Sequence, residues 1–324
     1  MMGLKSSSAE SAAPPLWWSL VRLARPAQWT KSAFVLIGPL YGLRDLGTEE
    51  ATVERVAFRA LLAAGAFALA SSAGYVVNDL LDRVADRSHP RKRKRPIAAG
   101  HVGVGQAAAW AGVLGMASVA LLLAIGMPTV GWVALTLGLY VLNVTAYSAW
   151  LKHVLILDVI GLALGFVLRV MGGCAAAGVE PSVWLLNVTF FLSMFLAFGK
   201  RLGERKALAD DDGDGGRAIE HRRVQAGYTD SFLQMAVIVT AGATLLTYAS
   251  YVQSLGSRHV VGFNLMWLTM LPAFYGMFRA ILMLERGKYD DPTELAVHDR
   301  GFQAAGAIFV LMTVVFLGRA GAGG

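Results

Sequence analysis

The sequence predicts an all-α polytopic membrane protein, with nine transmembrane helices around a cavity that faces the cytoplasm. Two observations predict this class. Of the 324 residues, 56% are hydrophobic and only 16% are charged, whereas charged residues make up about 25% of ordinary soluble proteins. Uncharged runs of about 20 residues, the length at which a helix crosses a bilayer, also recur along the whole chain.

The nine apolar runs are separated by polar segments that define the loops. The second run ends in an acidic motif, the fifth contains isolated charged residues, and the sixth ends in a basic motif. The runs cover about 33–47, 56–80, 105–127, 129–148, 154–177, 182–199, 232–254, 263–284 and 302–319. We therefore predict one nine-helix domain over 21–324. Residues 1–20 begin with the Ala/Ser/Pro-rich MMGLKSSSAESAAPPL and are predicted to form a disordered leader.

The loops indicate how the chain is oriented. Three long polar loops, at about 81–104, 200–231 and 285–301, fall on the same side as the N-terminus when the nine spans are counted. The first two hold seven Lys and Arg residues each. Because Lys and Arg are retained on the cytoplasmic side of membrane proteins, we expect this side to be cytoplasmic and the C-terminus to lie outside.

Composition excludes several classes of site and partner. Cys174 is the single cysteine, which excludes an internal disulfide framework and a cysteine-based zinc site. The net charge of +7 comes from loops between apolar spans, which is typical of membrane topology and contact with anionic lipid rather than of nucleic-acid binding. The small-residue run GGCAAAG around Cys174 can pack within a bundle or between protomers, so a homo-oligomer stays open.

Four polar residues at the end of the second run form a candidate metal site. Asn78, Asp82 and Asp86 are four residues apart, and Asp79 lies within about 60° of Asp82 around a helix, so all four share one stripe. Carboxylates this close repel one another unless a cation neutralises them. Mg²⁺ commonly binds one or two carboxylates together with substrate phosphates. The alternative is that these acids only balance the charge of the basic block that follows.

That basic block runs from Arg91 to Arg95 and is followed by Pro96. For Lys92 and Arg93 the better interpretation is a topology determinant at the membrane surface. Arg95 is predicted to contact substrate.

The whole stretch NDLLDRVADRSHPRKRKRPIAAG, residues 78–100, resembles the first aspartate-rich motif of the UbiA superfamily of membrane prenyltransferases. The segments RPAQWTKS and YSAWLKHVLILDVIGLALGFVLRVMGG also resemble that superfamily. The resemblance implies a nine-helix architecture and a motif that binds Mg²⁺, which in turn holds a diphosphate. It also implies catalytic roles for Asp79 and Asp82.

The end of the sixth run departs from the superfamily pattern. An ordinary member has D-x-x-x-D there, whereas this chain has FGKRLGERKAL. Glu204 is the acidic residue that remains and is predicted to help bind the metal. Lys200, Arg201 and Arg205 are predicted to bind an anionic group directly, since Arg and Lys make strong contacts with phosphate. The alternative is another basic cytoplasmic loop.

This departure and the later segment RGKYDDPTELAVHDRG resemble one branch of the superfamily. The resemblance implies an Mg²⁺-dependent membrane glycosyltransferase that moves phosphoribosyl from phosphoribosyl diphosphate (PRPP) to decaprenyl phosphate for cell-wall arabinan, in a bacterial plasma membrane. One alternative is an aromatic prenyltransferase that uses a polyprenyl diphosphate. A transporter or lipid-binding protein is disfavoured, because we find no convincing repeat and the acids lie at one membrane face.

Ionisable residues in the fifth run indicate a lined cavity. Asp158 and Arg169 are eleven residues apart, almost three helical turns, and therefore share a face. Such residues inside a span are by default functional or paired. Asp158 is predicted to be catalytic and Arg169 to bind substrate. Tyr147 and Lys152, at the cytoplasmic end of the preceding helix, are predicted to bind substrate, with Lys152 also catalytic.

The segment before the first span is the candidate contact for a lipid phosphate. Arg25 and Lys31 lie within RPAQWTKS, residues 25–32, and Trp29 of the same segment suits the aromatic belt at the membrane surface. We expect Arg25 and Lys31 to bind the acceptor phosphate, with anchoring of the chain to the membrane surface as the alternative.

Overall fold

The computed structural model describes residues 14–42, 50–88, 92–209, 227–254, 259–260, 263–286, 295 and 297–321. These residues are helical apart from turns and two short antiparallel strands, β1 (His259–Val260) and β2 (Phe263–Asn264). The helices are α1 (Leu16–Ala24), α2 (Phe34–Gly42), α3 (Glu50–Leu81), α4 (Arg83–Ser88), α5 (Val104–Ala124), α6 (Val130–Ala149), α7 (Leu157–Ala177), α8 (Val183–Ala209), α9 (Asp230–Ser254), α10 (Met270–Glu285) and α11 (Arg300–Gly321). Short 3₁₀ turns cover Pro26–Ala33, Lys92–Lys94, Leu151–His153 and Leu265–Thr269.

Seven of the described helices are long and apolar enough to cross a membrane. They are α3, α5, α6, α7, α8, α9 and α10, the last together with the turn before it. The prediction of an all-α, multi-pass membrane protein is confirmed, with seven candidate spans among the described residues. Of the two remaining predicted spans, α2 is described over nine residues, and α11 contains a shorter apolar stretch, Arg300–Phe316.

α7 is the central helix of the described bundle. In its apolar stretch, 61% of the residues are buried, the highest share among the seven candidate spans. Its small residues allow this burial, because α2 packs directly on Gly173, whose Cα faces the carbonyl oxygen of Val35, and on Cys174. Phe67 of α3 fills the space beside Gly172. The small-residue run therefore packs within the bundle.

Two hydrophobic clusters meet at α7. One joins α7 to α8, α9 and α10 and includes Val159, Phe198 and Leu233. The other joins α7 to α2, α3 and α6 and includes Phe67 and Leu168. Because α7 belongs to both clusters, polar residues along it lie between the two halves of the bundle.

Two boundaries differ from the sequence-based expectation. The predicted leader ends at residue 20, but Leu16–Ala24 is a helix, whose Leu23 packs in a third cluster with Val76 of α3; residues 1–13 lie outside the described part. The basic motif after the sixth span is helical, because α8 continues to Ala209. A helix does not have to end where its apolar run ends, since the backbone hydrogen bonds can continue into water.

Candidate active site

The acidic motif lies where α3 ends and α4 begins. α3 ends at Leu81, Asp82 forms a bend, and α4 begins at Arg83. Backbone hydrogen bonds continue across the bend, from Asp82 N to Asn78 O (2.9 Å) and from Asp86 N to Asp82 O (2.8 Å). The Asn78 side chain also donates from Nδ2 to Asp82 Oδ2 at 3.0 Å. Asn78 and Asp82 therefore form a side-chain pair within the predicted stripe.

The other two acids of the stripe are held by arginines. Asp79 Oδ1 accepts hydrogen bonds from Arg25 Nη2 at 2.6 Å and from Arg95 Nη1 at 3.0 Å. The same Arg95 nitrogen donates to Asp86 Oδ2 at 2.8 Å. Both carboxylates are 2% exposed. The structure thus joins Asp79 to Asp86 through Arg95, and it brings together two predicted substrate-binding cations with two predicted metal ligands.

Arg25 reaches this cluster because the N-terminal segment lies against α3. It sits between α1 and the following 3₁₀ turn with a left-handed φ of 51°, and its guanidinium lies 4.9 Å from the centre of the Tyr75 ring. One turn further along, Trp29 Nε1 donates to Ser72 Oγ at 3.0 Å. Lys31 lies on the same segment with an exposed side chain.

A second polar group joins the start of α7 to the basic motif of α8. Asp158, 1% exposed, accepts from Tyr228 Oη at 2.7 Å and from Arg201 Nε at 3.2 Å. Arg201 also donates from Nη1 to Glu204 Oε2 at 2.9 Å, and Tyr147 lies beside the same guanidinium. Arg201 therefore occupies the position between Asp158 and Glu204. The structure thus brings Tyr147 and Asp158 together with Arg201 and Glu204, which the sequence predicts as two separate sets of candidates.

The turn before α7 is strained and is fastened by Tyr228. Ile156 has a φ of 69°, which is unfavourable for a β-branched residue, and its amide donates to Tyr228 Oη at 2.6 Å. Burial, and next the hydrogen bond to Asp158, raise the pKa of Tyr228 above its ordinary value. The phenol therefore stays neutral and donates its proton to Asp158. Strain of this kind is concentrated at functional sites, and in the described chain the two non-glycine residues with positive φ, Arg25 and Ile156, both adjoin the polar groups above.

Arg205 and Lys200 are the other predicted substrate-binding cations of the basic motif. Arg205 donates from Nε to Asp230 Oδ1 and from Nη1 to the carbonyl oxygen of Tyr228, both at 2.5 Å, so it ties α8 to the beginning of α9. Lys200 is exposed on α8, one residue before Arg201. Arg201 therefore binds Asp158 directly. Arg205 is connected to Asp158 through Tyr228.

Arg169 lies deeper in the bundle and does not pair with Asp158. Its Nη2 donates to Tyr140 Oη at 2.7 Å and to Ser71 Oγ at 3.2 Å, and its Nη1 donates to Gly165 O at 3.2 Å. The side chain is buried, and its Nε has no hydrogen-bond partner among the described residues. Within the same residues Arg169 forms no ion pair, so its charge is stabilised by neutral groups and by the Tyr140 ring at 4.5 Å.

The end of α6 lies against the beginning of α7. Asn143 donates from Nδ2 to Gly161 O at 2.9 Å, and Tyr147 packs beside Gly161. Lys152 follows on the 3₁₀ turn Leu151–His153 and is half-buried. Tyr147 thus lies beside Arg201, which binds Asp158. Lys152 lies at the same end of α6.

Three polar residues of these groups, Tyr228, Tyr140 and Ser71, are absent from the sequence-based candidates. Tyr140 is seven residues before Tyr147, which places both on one face of α6, and this spacing could have identified it. Ser71 is eight residues before Asp79 on α3, on a similar face. Tyr228 contacts Asp158 across 70 residues of chain, and no local spacing signals such a contact.

The donor set fits a divalent metal in part. The described residues contain no group of three or more His, Cys, Asp or Glu side chains placed to hold a metal ion. Arginines neutralise Asp79 and Asp86, whereas Asp82 accepts a hydrogen bond from the neutral Asn78. Asp82 and the Asn78 amide oxygen are therefore the groups best placed to bind a metal that takes its other ligands from substrate phosphate.

Comparison with known proteins decides the family. The UbiA prenyltransferase family matches residues 35–320. The chain belongs to this family. It is therefore a membrane transferase of the UbiA type. Among solved UbiA structures, a homolog from Archaeoglobus fulgidus bound to GPP and Mg²⁺ has a TM-score of 0.62 at 19% identity, over 93% of this chain and 99% of that one. At this identity the similarity establishes the fold.

Curated UbiA relatives share more of the sequence. Decaprenyl-phosphate phosphoribosyltransferase of Corynebacterium glutamicum is 31% identical over 304 residues, covering 92% of this chain and 87% of that protein. The enzyme of the same name from Mycolicibacterium smegmatis is 32% identical over 308 residues, covering 93% of each. The Mycobacterium tuberculosis enzyme is 33% identical over 286 residues, with 88% and 89% coverage.

Proposed function

We propose that this chain transfers the 5-phosphoribosyl group of PRPP to decaprenyl phosphate and releases diphosphate. The observation that carries the proposal is the identity of 31–33% to three decaprenyl-phosphate phosphoribosyltransferases over most of both chains. The site supports it, because an arginine stands between Asp158 and Glu204 where a second metal-binding acidic pair would otherwise be expected. The product is decaprenylphosphoryl-5-phosphoribose, a precursor for cell-wall arabinan.

The reaction is a displacement at C1 of the ribose. The bond from C1 to the diphosphate oxygen breaks, and diphosphate leaves with the electron pair while C1 gains positive charge. An oxygen of the lipid phosphate forms the new bond to C1. That oxygen is already ionised at neutral pH, so the protein does not need a strong base. Catalysis then depends on holding three anionic groups together and on stabilising the charge of the leaving group.

The acidic motif handles the diphosphate in this proposal. A divalent metal, Mg²⁺ here, would neutralise charge on the leaving diphosphate when bound by Asp82 and Asn78. Arg25 and Arg95 are oriented by their ion pairs with Asp79 and Asp86 and are 30% and 27% exposed. Their free N–H groups can donate to diphosphate oxygens, so Asp79 and Asp86 act mainly through these arginines.

The second polar group positions the ribosyl phosphate. Arg201 is held by Asp158 and Glu204, and its remaining donors are proposed to bind the 5-phosphate together with Lys200 and Tyr147. Asp158 is a positioning residue in this proposal, and Glu204 binds ribose hydroxyls or the metal. Arg205 and Arg169 are proposed to attract the substrate anions by their positive charge, without direct contact. Lys152 is proposed to bind the acceptor phosphate.

The lipid acceptor determines where in the membrane the site must lie. A polyprenyl phosphate keeps its tail in lipid while its head reaches the polar groups, so the site must lie at a membrane surface. We propose that α2 and α11 complete nine spans and that the cavity faces the cytoplasm of a bacterial plasma membrane. The Lys/Arg-rich segments that contain Arg95 and Lys200 support this orientation. The exposed Lys31 would guide the acceptor head, whereas Arg25, for which the sequence predicts the same role, is proposed to bind the diphosphate instead.

One assay separates the proposal from its nearest alternative. Purified protein in lipid nanodiscs is incubated with PRPP, decaprenyl phosphate and MgCl₂, and the lipid products are identified by mass spectrometry. We expect decaprenylphosphoryl-5-phosphoribose and free diphosphate, both lost on addition of EDTA. A parallel reaction contains a polyprenyl diphosphate and 4-hydroxybenzoate. Prenylation of the aromatic acid without phosphoribosyl transfer would overturn the proposal in favour of an aromatic prenyltransferase.

A further inference from the structure

Ser72 of α3 fastens the N-terminal segment at two points. Its Oγ donates to the carbonyl oxygen of Ala24 at 2.7 Å and accepts from Trp29 Nε1 at 3.0 Å. Because Ser72 is 0% exposed, its hydroxyl is shielded from water and both hydrogen bonds are made within the protein. The two contacts lie immediately before Arg25 and four residues after it, so Ser72 fixes the chain on both sides of this arginine.

The backbone at Arg25 depends on such contacts. With φ 51° and ψ 60°, Arg25 is in the left-handed conformation, which a Cβ makes unfavourable and for which glycine is the usual residue after a helix. The carbonyl of Ala24, at the end of α1, is one of those that have no partner inside the helix. Ser72 supplies that partner and thereby stabilises the bend at which Arg25 leaves the helix.

The same face of α3 receives the side chain of Arg25. Tyr75 and Asp79 are three and seven residues after Ser72, within about 60° of it around the helix. The Arg25 guanidinium lies 4.9 Å from the centre of the Tyr75 ring and donates to Asp79 Oδ1 at 2.6 Å. The segment therefore lies along this face, with its backbone held at Ser72 and its charge placed about 10 Å further along the helix.

We propose that Ser72 is a positioning residue for Arg25, and that with the Trp29 indole it sets the affinity of the site for diphosphate. The inference rests on the proposed function, in which Arg25 binds the diphosphate group of PRPP, and adds how this arginine is held. A guanidinium binds phosphate through a planar fork of N–H groups whose direction matters. An arginine on an unfastened segment would lose conformational freedom on binding, which weakens affinity. Ser72 removes that loss in advance without touching the substrate.

Trp29 has two roles in this arrangement, and they can be separated. Its ring is 44% exposed, as expected for the aromatic belt, whereas its N–H is bound inside the protein by Ser72. A residue that only anchored the chain at the membrane surface would not need this hydrogen bond. Trp29→Phe keeps an aromatic ring, removes the N–H and leaves the contact between Ser72 and Ala24. Ser72→Ala removes both hydrogen bonds.

Ser118→Ala is the matched control for the loss of a buried serine hydroxyl. Ser118 of α5 is also buried, and it donates to a carbonyl oxygen of α3, that of Ala66, at 2.8 Å. Ala66 precedes Asp79 by thirteen residues, which corresponds to about 20 Å of helix. This variant therefore loses a similar hydrogen bond between helices at a distance from the arginine.

The experiment measures donor and acceptor binding by the full-length protein in lipid nanodiscs. The Kd of inorganic diphosphate with MgCl₂ is measured by isothermal titration calorimetry, and KM is measured for PRPP and for decaprenyl phosphate. In Ser72→Ala we expect the Kd for diphosphate and the KM for PRPP to rise about tenfold, a loss of about 1.4 kcal/mol, and in Trp29→Phe about threefold. The KM for decaprenyl phosphate should rise less. All three values should stay unchanged in Ser118→Ala.

A double variant tests whether Ser72 acts through Arg25. Arg25→Ala alone should weaken diphosphate binding, and Ser72→Ala added to it should cause no further loss, because the guanidinium that Ser72 positions is already gone. Hydrogen exchange followed by mass spectrometry measures the fastening itself. The amides of residues 25–33 should exchange faster in Ser72→Ala than in the wild-type protein.

Three outcomes overturn the inference. Wild-type diphosphate affinity or unchanged hydrogen exchange in Ser72→Ala would show that Arg25 keeps its direction without the serine. Additive losses in the double variant would give Ser72 a role independent of Arg25. An equal rise of KM for both substrates, or the same effects in Ser118→Ala, would indicate a general loss of structure. Failure of the proposed function is a separate result, because the wild-type protein would then form no phosphoribosyl product, whereas diphosphate binding would still report on Ser72.

Discussion

Asp79 and Asp82 are three residues apart, yet the structure gives them different partners. The spacing in the sequence places them on one stripe and predicts a shared metal. The structure instead binds Asp79 to Arg25, 54 residues earlier, and to Arg95, 16 residues later. Helical periodicity predicts which side chains share a face, but it does not predict which distant arginine reaches that face. The sequence therefore predicts the four polar residues of the stripe, and the fold separates them into an arginine-bound pair, Asp79 and Asp86, and the pair of Asn78 and Asp82.

This difference can be tested by neutralising the two acids one at a time. In Asp82→Asn we expect turnover to fall by about 100-fold or more, because several kcal/mol of charge stabilisation by a metal would be lost. The melting temperature should change little, since the hydrogen bond between Asn78 and position 82 can persist. In Asp79→Asn two ion pairs are lost, so both turnover and melting temperature should fall. The stability cost should be below the about 3–5 kcal/mol for breaking a buried pair, since the arginines are 27–30% exposed.

Turnover is measured over a range of MgCl₂ concentrations, and melting is followed in detergent by the fluorescence of the protein. Asp82→Asn with a near wild-type rate at low Mg²⁺ would remove this residue from the metal site. Equal loss of stability in both variants would show that the two acids are not separated as the structure indicates.

At the scale of helices, the apolar runs predict where the spans lie in the sequence, but they do not predict which helices pack against one another. The run predicted at 154–177 becomes α7 at Leu157–Ala177, and the run at 105–127 becomes α5 at Val104–Ala124. Hydropathy cannot show that α7 is the central helix, because α5 is equally apolar. That position depends on Gly172 and Gly173, which let Phe67 and the backbone of α2 approach.

The close approach of α2 to α7 predicts that Gly173→Ala is destabilising. An added methyl group would collide with the carbonyl oxygen of Val35, which belongs to the backbone and cannot rotate away. We expect a loss of about 1–3 kcal/mol, as for other overpacked cores, seen as a lower melting temperature. Gly112→Ala on α5 is the control, because nothing lies within 4 Å of its added Cβ and alanine favours a helix by up to about 1 kcal/mol. A wild-type melting temperature for Gly173→Ala would show that α2 packs less closely.

At the scale of the whole molecule, the family establishes the arrangement of the helices, whereas the distribution of charge predicts their orientation in the membrane. The similarity to solved UbiA structures, with a TM-score of 0.62 over 93% of the chain, establishes how the helices are arranged. It does not by itself establish which end faces the cytoplasm. The distribution of Lys and Arg predicts that orientation, because the basic residues around the acidic motif and the end of α8 lie on the same side of the bundle as the site.

The chain's single cysteine makes this orientation directly measurable. Cys174 is 1% exposed, so a membrane-impermeant maleimide should not label the wild-type protein in intact cells. Lys94 lies in the 3₁₀ turn after the acidic motif and Glu180 in the connection between α7 and α8, at opposite ends of the bundle, and both are exposed. Glu180→Cys should be labelled in intact cells, whereas Lys94→Cys should be labelled only after the membrane is permeabilised. The reverse pattern would place the acidic motif outside, where a site for PRPP would have no cytoplasmic substrate, and would overturn both the orientation and the reaction proposed for it.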